Sequence, residues 1–119
     1  MSIDLLAVSF DCTDAARVAG FWAAVLDQKV ADGATPESAS VTVDDVARTG
    51  PLLLFHRVPE GKTVKNRVHL DLATTDSEAE SARLLELGAT RLRDITEDGR
   101  LRWTTFADPE GNEFDLIVR

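Results

Sequence analysis

The sequence predicts an α+β fold made of two tandem βαβββ modules, and three observations carry the prediction. Two segments, Ile3 to Cys12 and Arg67 to Leu72, alternate apolar and polar residues at the period of a half-buried strand. Each is followed by a helix-start signal and then by apolar residues at helical spacing. The two stretches also superimpose: Val8-Ser9-Phe10-Asp11-Cys12-Thr13-Asp14 lies over Leu70-Asp71-Leu72-Ala73-Thr74-Thr75-Asp76 in strand, cap and helix start. A repeat of about 60 residues in two copies suits a paired, pseudo-symmetric domain better than a solenoid.

In chain order, Leu6, Val8, Phe10 and Cys12 form the apolar face of the first strand, and Ala7, Ser9 and Asp11 the other. Thr13 or Asp14 caps a helix running to about Leu26, with Val18, Phe21, Trp22, Val25 and Leu26 at helical spacing and Trp22 assigned to the core. Gln28 to Ala31 and Ser40 to Val43 are weaker strand candidates, separated by the loop Asp32-Gly33-Ala34-Thr35-Pro36. Pro51 leads into the apolar strand Leu52 to Val58, and Pro59-Glu60-Gly61-Lys62 turns out of it. In the second copy Val68, Leu70 and Leu72 are expected to pack under a helix, while Arg67, His69 and Asp71 take the opposite face. Thr75-Asp76-Ser77-Glu78 has the pattern of a capping box, and Gly88 is placed to end that helix in the left-handed conformation. Three strands follow, Thr90 to Thr96, Leu101 to Phe106 and Glu113 to Val118, joined by Glu97-Asp98-Gly99 and Asp108-Pro109-Glu110-Gly111-Asn112.

Composition narrows the function classes. The 119 residues suit one domain, with one module over about 1–58 and the other over about 64–119. A formal charge of −8, from 21 acids against 13 bases without a basic cluster, argues against nucleic acid and anionic membranes as partners and leaves small molecules or proteins. The single Cys12 excludes an internal disulfide framework and fits a reducing compartment; with no basic leader or long apolar run at the start, a cytoplasmic location is expected. One helix covers only one face of a four-stranded sheet, so in each module the polar face is the site candidate.

The doubled pattern, together with Phe21-Trp22-Ala23-Ala24-Val25-Leu26-Asp27, Lys65-Asn66-Arg67-Val68-His69-Leu70-Asp71 and Asp108-Pro109-Glu110-Gly111-Asn112-Glu113-Phe114, resembles the vicinal oxygen chelate superfamily. That superfamily includes glyoxalase I, extradiol dioxygenases and bleomycin-resistance proteins, and the small bacterial glyoxalase-like proteins look most similar. Over essentially the whole chain, the resemblance implies a single glyoxalase-like domain: a cupped, mixed sheet of eight strands, helices on its convex side, with the site in the cup. It also implies a homodimer, which would cover exposed strand edges.

Metal-using members take one ligand from the first and last strand of each module. By register to the capping aspartates those positions fall on Ala7, on His69 and on Asp115, with the fourth on His56 or Leu54; repeat alignment favours Leu54 and chemistry favours His56. Ala7 has no donor. A set of His56, His69 and Asp115 would suit divalent iron, manganese, zinc or nickel. Ligand contact is assigned to Arg67, whose fork matches carboxylate or phosphate, to His69, to Asp71 as base or as orienter of His69, and to Trp103 as an aromatic wall. Each has a plainer alternative: Arg67 in a surface ion pair, His69 bonded to Asp71 or Asp115 in a cleft, Trp103 in the hairpin core. Two functions stay open: a small-molecule binding protein, and a metal-dependent lyase, isomerase or dioxygenase acting on vicinal oxygens.

Overall fold

The computed structural model describes residues 2–42 and 50–119; Val43, the end of one expected strand, lies outside them. The chain divides into two compact units, Met1–Gly61 and Lys62–Arg119. Each unit is a βαβββ module with its own four-stranded sheet, so the eight strands form two mixed sheets and the fold class is α+β as expected. No helix among the described residues is long and apolar enough to cross a membrane.

The first unit comprises β1 (Ala7–Cys12), α1 (Ala15–Val25), β2 (Lys29–Val30), β3 (Ser38–Thr42) and β4 (Leu52–Arg57), in sheet order β1-β4-β3-β2 with β1 parallel to β4. Asp14 caps α1, its carboxylate accepting from the Arg17 amide at 3.2 Å. Ala15, Ala19 and Ala23 recur on one helix face and are buried, which lets α1 approach β3 and β4 closely. Phe10 stacks on Phe55 at 4.9 Å and meets Trp22 at 5.6 Å, so Trp22 is core as expected. The first strand begins later than the alternation suggested. Leu52 is its first partner and donates to the Leu6 carbonyl, and Leu6, before that first pair, is left exposed.

The second unit comprises β5 (Leu70–Thr74), α2 (Ser77–Leu87), β6 (Thr90–Glu97), β7 (Arg100–Ala107) and β8 (Glu113–Val118), in sheet order β5-β8-β7-β6 with β5 parallel to β8. α2 lies against β8 and β6, and Leu84, Ala89, Phe106, Phe114 and Leu116 are the buried apolar set. Asp98 and Gly99, both with positive φ, make the two-residue turn between β6 and β7.

Two expectations are corrected here. β5 starts at Leu70, not Arg67, and Val68 is 75% exposed, not packed under the helix. The reason lies in the partner strand: Leu70 pairs with Phe114, so Val68 falls opposite Asn112, before β8 begins at Glu113 and next to Gly111, whose φ of 89° turns the chain out of the strand direction. The helix cap is Asp76 and not Thr75. The Asp76 carboxylate accepts from the Ala79 amide at 3.1 Å, while its own amide donates to the Thr74 hydroxyl at 3.0 Å. Gly88 ends α2 at φ 116° as expected.

Candidate functional site

Strand pairing in the second unit assembles one row of polar side chains across all four strands. Asp71 on β5 is the register partner of Asp115 on β8, Asp115 is the partner of Thr105 on β7, and Thr105 of Arg93 on β6. Because partners across a ladder share a face, the row lies on one side of the sheet. Phe106, Phe114 and Leu116 point to the other side, toward α2. A second row, Ala73, Ile117, Trp103 and Ile95, runs beside the first and is apolar.

His69 immediately precedes β5, and its Nδ1 stands 3.1 Å from Asp71 Oδ1 and 3.7 Å from Asp115 Oδ2. Thr105 Oγ1 donates to the other Asp115 oxygen at 2.6 Å, and Asp115 is only 14% exposed. Two carboxylates around one imidazole leave the cluster negative whether or not the ring is protonated, so it attracts cations. The imidazole nitrogen and carboxylate oxygens of His69, Asp71 and Asp115 lie within 4.8 Å of one another. That mixed N and O set fits a divalent ion such as manganese, iron or zinc.

One step along β8, Glu113 shares the Asp115 face. Lys62 Nζ is 3.6 Å from its Oε1 and Arg93 Nη2 is 3.8 Å from its Oε2. The Asn66 amide donates to Glu113 Oε1 and the Asn66 side chain to the Glu113 carbonyl at 3.1 Å. These contacts fasten the segment that carries Arg67 and His69 to β8 where the ladder has not yet begun.

The expected site residues fall into three placements. His69, Asp71 and Asp115 come together, and Trp103 is half-buried in the adjoining apolar row. Arg67 is exposed and lies before β5, so strand alternation does not fix its face. His56 is in the first unit, exposed on β4 opposite Asp11 and Ser38, beside a shallow hollow that Leu54, Ser40 and Asp32 also line. The repeat can be indexed on the two observed caps, Asp14 and Asp76: Ser9 and Asp71 each stand five residues before them, and their partners are Leu54 and Asp115. Leu54 is therefore the positional equivalent of Asp115, and Ala7 that of His69.

Thr105, Glu113 and Arg93 were missed by sequence reasoning. Thr105 alternates with Trp103, and that spacing was the one available signal; nothing local to Glu113 or Arg93 distinguishes them from surface charges.

The sequence profile of a family described as a glyoxalase-like domain matches residues 7–117. No curated protein matches the chain. Among solved structures, a mutant of the fosfomycin resistance protein FosX from Listeria monocytogenes, complexed with Mn(II) and 1S,2S-dihydroxypropylphosphonic acid, superimposes with a TM-score of 0.72 at 12% identity, covering 98% of this chain and 90% of that one. A glyoxalase/bleomycin resistance protein/dioxygenase family enzyme from Burkholderia phytofirmans gives 0.71 at 17% identity, covering 96% and 97%. A glyoxalase-related enzyme from Fulvimarina pelagi gives 0.70 at 17%, covering 98% and 88%. At these identities the likeness is one of fold.

Proposed function

The chain belongs to the glyoxalase-like domain family, and from that premise we propose that it binds a small molecule on the polar face of its second sheet, around His69, Asp71 and Asp115. The observation that carries the proposal is the convergence of these three side chains on the face turned away from α2, next to the apolar row of Trp103, Ile95 and Ile117. A polar cluster beside an apolar surface is the usual makeup of a small-ligand site: the apolar part supplies area and the polar groups orient. Arg67, two residues from His69, is the nearest extra cation along the chain for an anionic ligand.

A second reading is favoured by the donor set itself. His69, Asp71 and Asp115 would hold a divalent cation, and the FosX structure named above contains Mn(II). When bound, such an ion polarises substrate oxygens. The chain's own residues would then position it: Thr105 holds one oxygen of Asp115 and leaves the other facing His69. Lyase, isomerase or dioxygenase chemistry would follow this reading.

The test is metal analysis of protein purified without a histidine tag, together with titration of Mn(II) or Zn(II) into wild type and Asp115→Asn. Stoichiometric metal lost in the variant supports the enzyme reading, and metal-free protein supports the binding protein. Small molecules that perturb neither the Trp103 nor the His69 resonances in a ligand screen would sink the site assignment. We also propose a homodimer, supported by the exposed apolar residues Ile3, Leu5 and Leu6 in one unit and Val64 and Val68 in the other. Sedimentation showing a clean monomer at micromolar concentration would remove it.

A further inference from the structure

We infer that Asn66 is the positioning residue for His69: its clasp on Glu113 presents the imidazole to Asp71 and Asp115. The functional weight of this rests on the reading that His69 takes part in binding. Its starting point is that His69 stands outside the ladder. β5 begins at Leu70, whose partner is Phe114, so register pairing does not include His69. Its side chain is 41% exposed, yet Nδ1 lies 3.1 Å from Asp71 Oδ1 and 3.7 Å from Asp115 Oδ2. A half-exposed ring on an unpaired segment needs some other restraint to hold one place, because fixing it costs backbone and rotamer entropy.

Glu113, at the start of β8, supplies that restraint through two residues of the segment. Lys62 reaches it with an ion pair of 3.6 Å, made by a long flexible side chain seven residues before His69. Asn66 reaches it twice: its backbone amide donates to Glu113 Oε1 at 3.4 Å, and its Nδ2 donates to the Glu113 carbonyl at 3.1 Å. A backbone donor and a side-chain donor on one residue fix both the place and the direction of the chain there. The carbonyl acceptor belongs to the β8 backbone, so it does not move with a rotamer.

Arg67 and Val68 are exposed, which makes Asn66 the last fixed point before His69. Three residues reach at most about 11 Å, so the clasp confines His69 to the neighbourhood of β8. It also selects the side. Glu113 and Asp115 alternate onto one face of β8, and a segment tied to the Glu113 carboxylate enters β5 from the side on which Asp115 projects. With the ring so placed and no metal bound, two carboxylates facing Nδ1 favour the proton on that nitrogen, whereas an imidazole free in water favours Nε2.

The first measurement is the tautomer of His69 by nitrogen-15 NMR of the imidazoles, with EDTA present and at one pH well above the ordinary imidazole value of about 6.5. The chain has two histidines, so His56 is the internal reference. Wild type should show His69 mainly as Nδ1–H. Asn66→Ala should move it toward Nε2–H and leave His56 unchanged. Asn66→Asp keeps the shape but turns the donor toward the carbonyl into an acceptor, and should behave like the alanine variant. Thermal melts identify folded protein, and if one variant fails to fold the other decides. The second measurement is Zn(II) affinity, expected to fall about tenfold in Asn66→Ala. In a His69→Ala background the same change should cost nothing more, because Asn66 acts through that ring. A folded Asn66 variant that keeps the wild-type tautomer, a wild type without Nδ1–H, or a zinc loss that adds to that of His69→Ala overturns the inference. Wild type that takes up no Zn(II) removes the metal reading, and the tautomer comparison alone then decides the role of Asn66.

Discussion

Thr105 donates its hydroxyl to Asp115 at 2.6 Å, and the same two residues are direct partners across the β7–β8 ladder. Backbone pairing and side-chain bonding thus fix one carboxylate in one orientation, with its second oxygen 3.7 Å from His69 Nδ1. Thr105→Val keeps the side-chain shape and deletes the donor. It should cost about 1–3 kcal/mol by leaving a shielded carboxylate oxygen unmatched, and Thr105→Ser should recover most of that loss. Urea unfolding measures the cost. A metal or ligand titration of the folded valine variant should show weaker binding, because Asp115 is free to turn away.

The largest packing loss in the second unit should come from α2, not from β5. Leu84 is 2% exposed between the helix and its sheet, so Leu84→Ala should cost about 2–5 kcal/mol. Leu70 is half-buried at the start of an edge strand, and Leu70→Ala should cost distinctly less. If chemical denaturation ranks the two in the reverse order, β5 and not β8 is what anchors the helix.

Gly88→Ala isolates a backbone effect. An added Cβ would meet Pro109 Cγ at 3.6 Å, an ordinary contact, while φ stays at 116°. The expected loss of about 1–2 kcal/mol is therefore conformational. Pairing it with Pro109→Ala should give no rescue in a double-mutant cycle.

Asp94 supplies a pH-dependent term. Hydrogen bonds from Arg91, at 2.8 and 3.2 Å, and from the Thr104 hydroxyl, at 2.9 Å, hold its carboxyl below the usual value. A lowered folded pKa means that Asp94 stabilises the protein above the unfolded value of about 3.9 and that this contribution fades as pH falls through the lowered one. Asp94→Asn should be slightly less stable than wild type at pH 7 and equal to it in strong acid. The effect is small because the pair is half exposed. A difference that persists unchanged at low pH would show that Asp94 acts by shape and not by charge.

The repeat, both helices and the succession of one strand, a helix and three strands in each module were legible because they are written locally. Asp14 and Gly88 sit where capping chemistry requires them, and the spacing of Val18, Phe21, Trp22 and Val25 is that of one helix face. The start of β5 was not legible, since it is decided by where its partner strand β8 begins, at Glu113, over forty residues away. The site divides along the same line. His69 and Asp71 lie on one short stretch and could be paired by alternation, and Asp115 came through the resemblance. Thr105, Arg93 and Glu113 join them only through β6–β7–β8 register, which depends on a bulge between Arg91 and Arg93 that no local pattern announces. The pairing of Ser9 with Leu54, which makes Leu54 the positional equivalent of Asp115, is likewise a matter of register.

The turn that closes β7 onto β8 has an effect well beyond its own five residues. Asp108, 3% exposed, accepts from the Glu110 and Asn112 amides and donates its own amide to the Asn112 carbonyl, so the number of residues between the strands is fixed. Along a strand, odd and even positions trade sides with every residue added or removed. Asp108 and Asn112 thus set the phase of β8. With one residue inserted after Gly111, Phe114 and Leu116 would be thrown onto the polar side, and Glu113, Asp115 and Ile117 would be driven beneath α2. A segment that supplies none of the site's side chains decides whether the site exists, and a catalogue of its substitutions and indels would show asymmetric tolerance: permissive at Glu110, intolerant of any change in length.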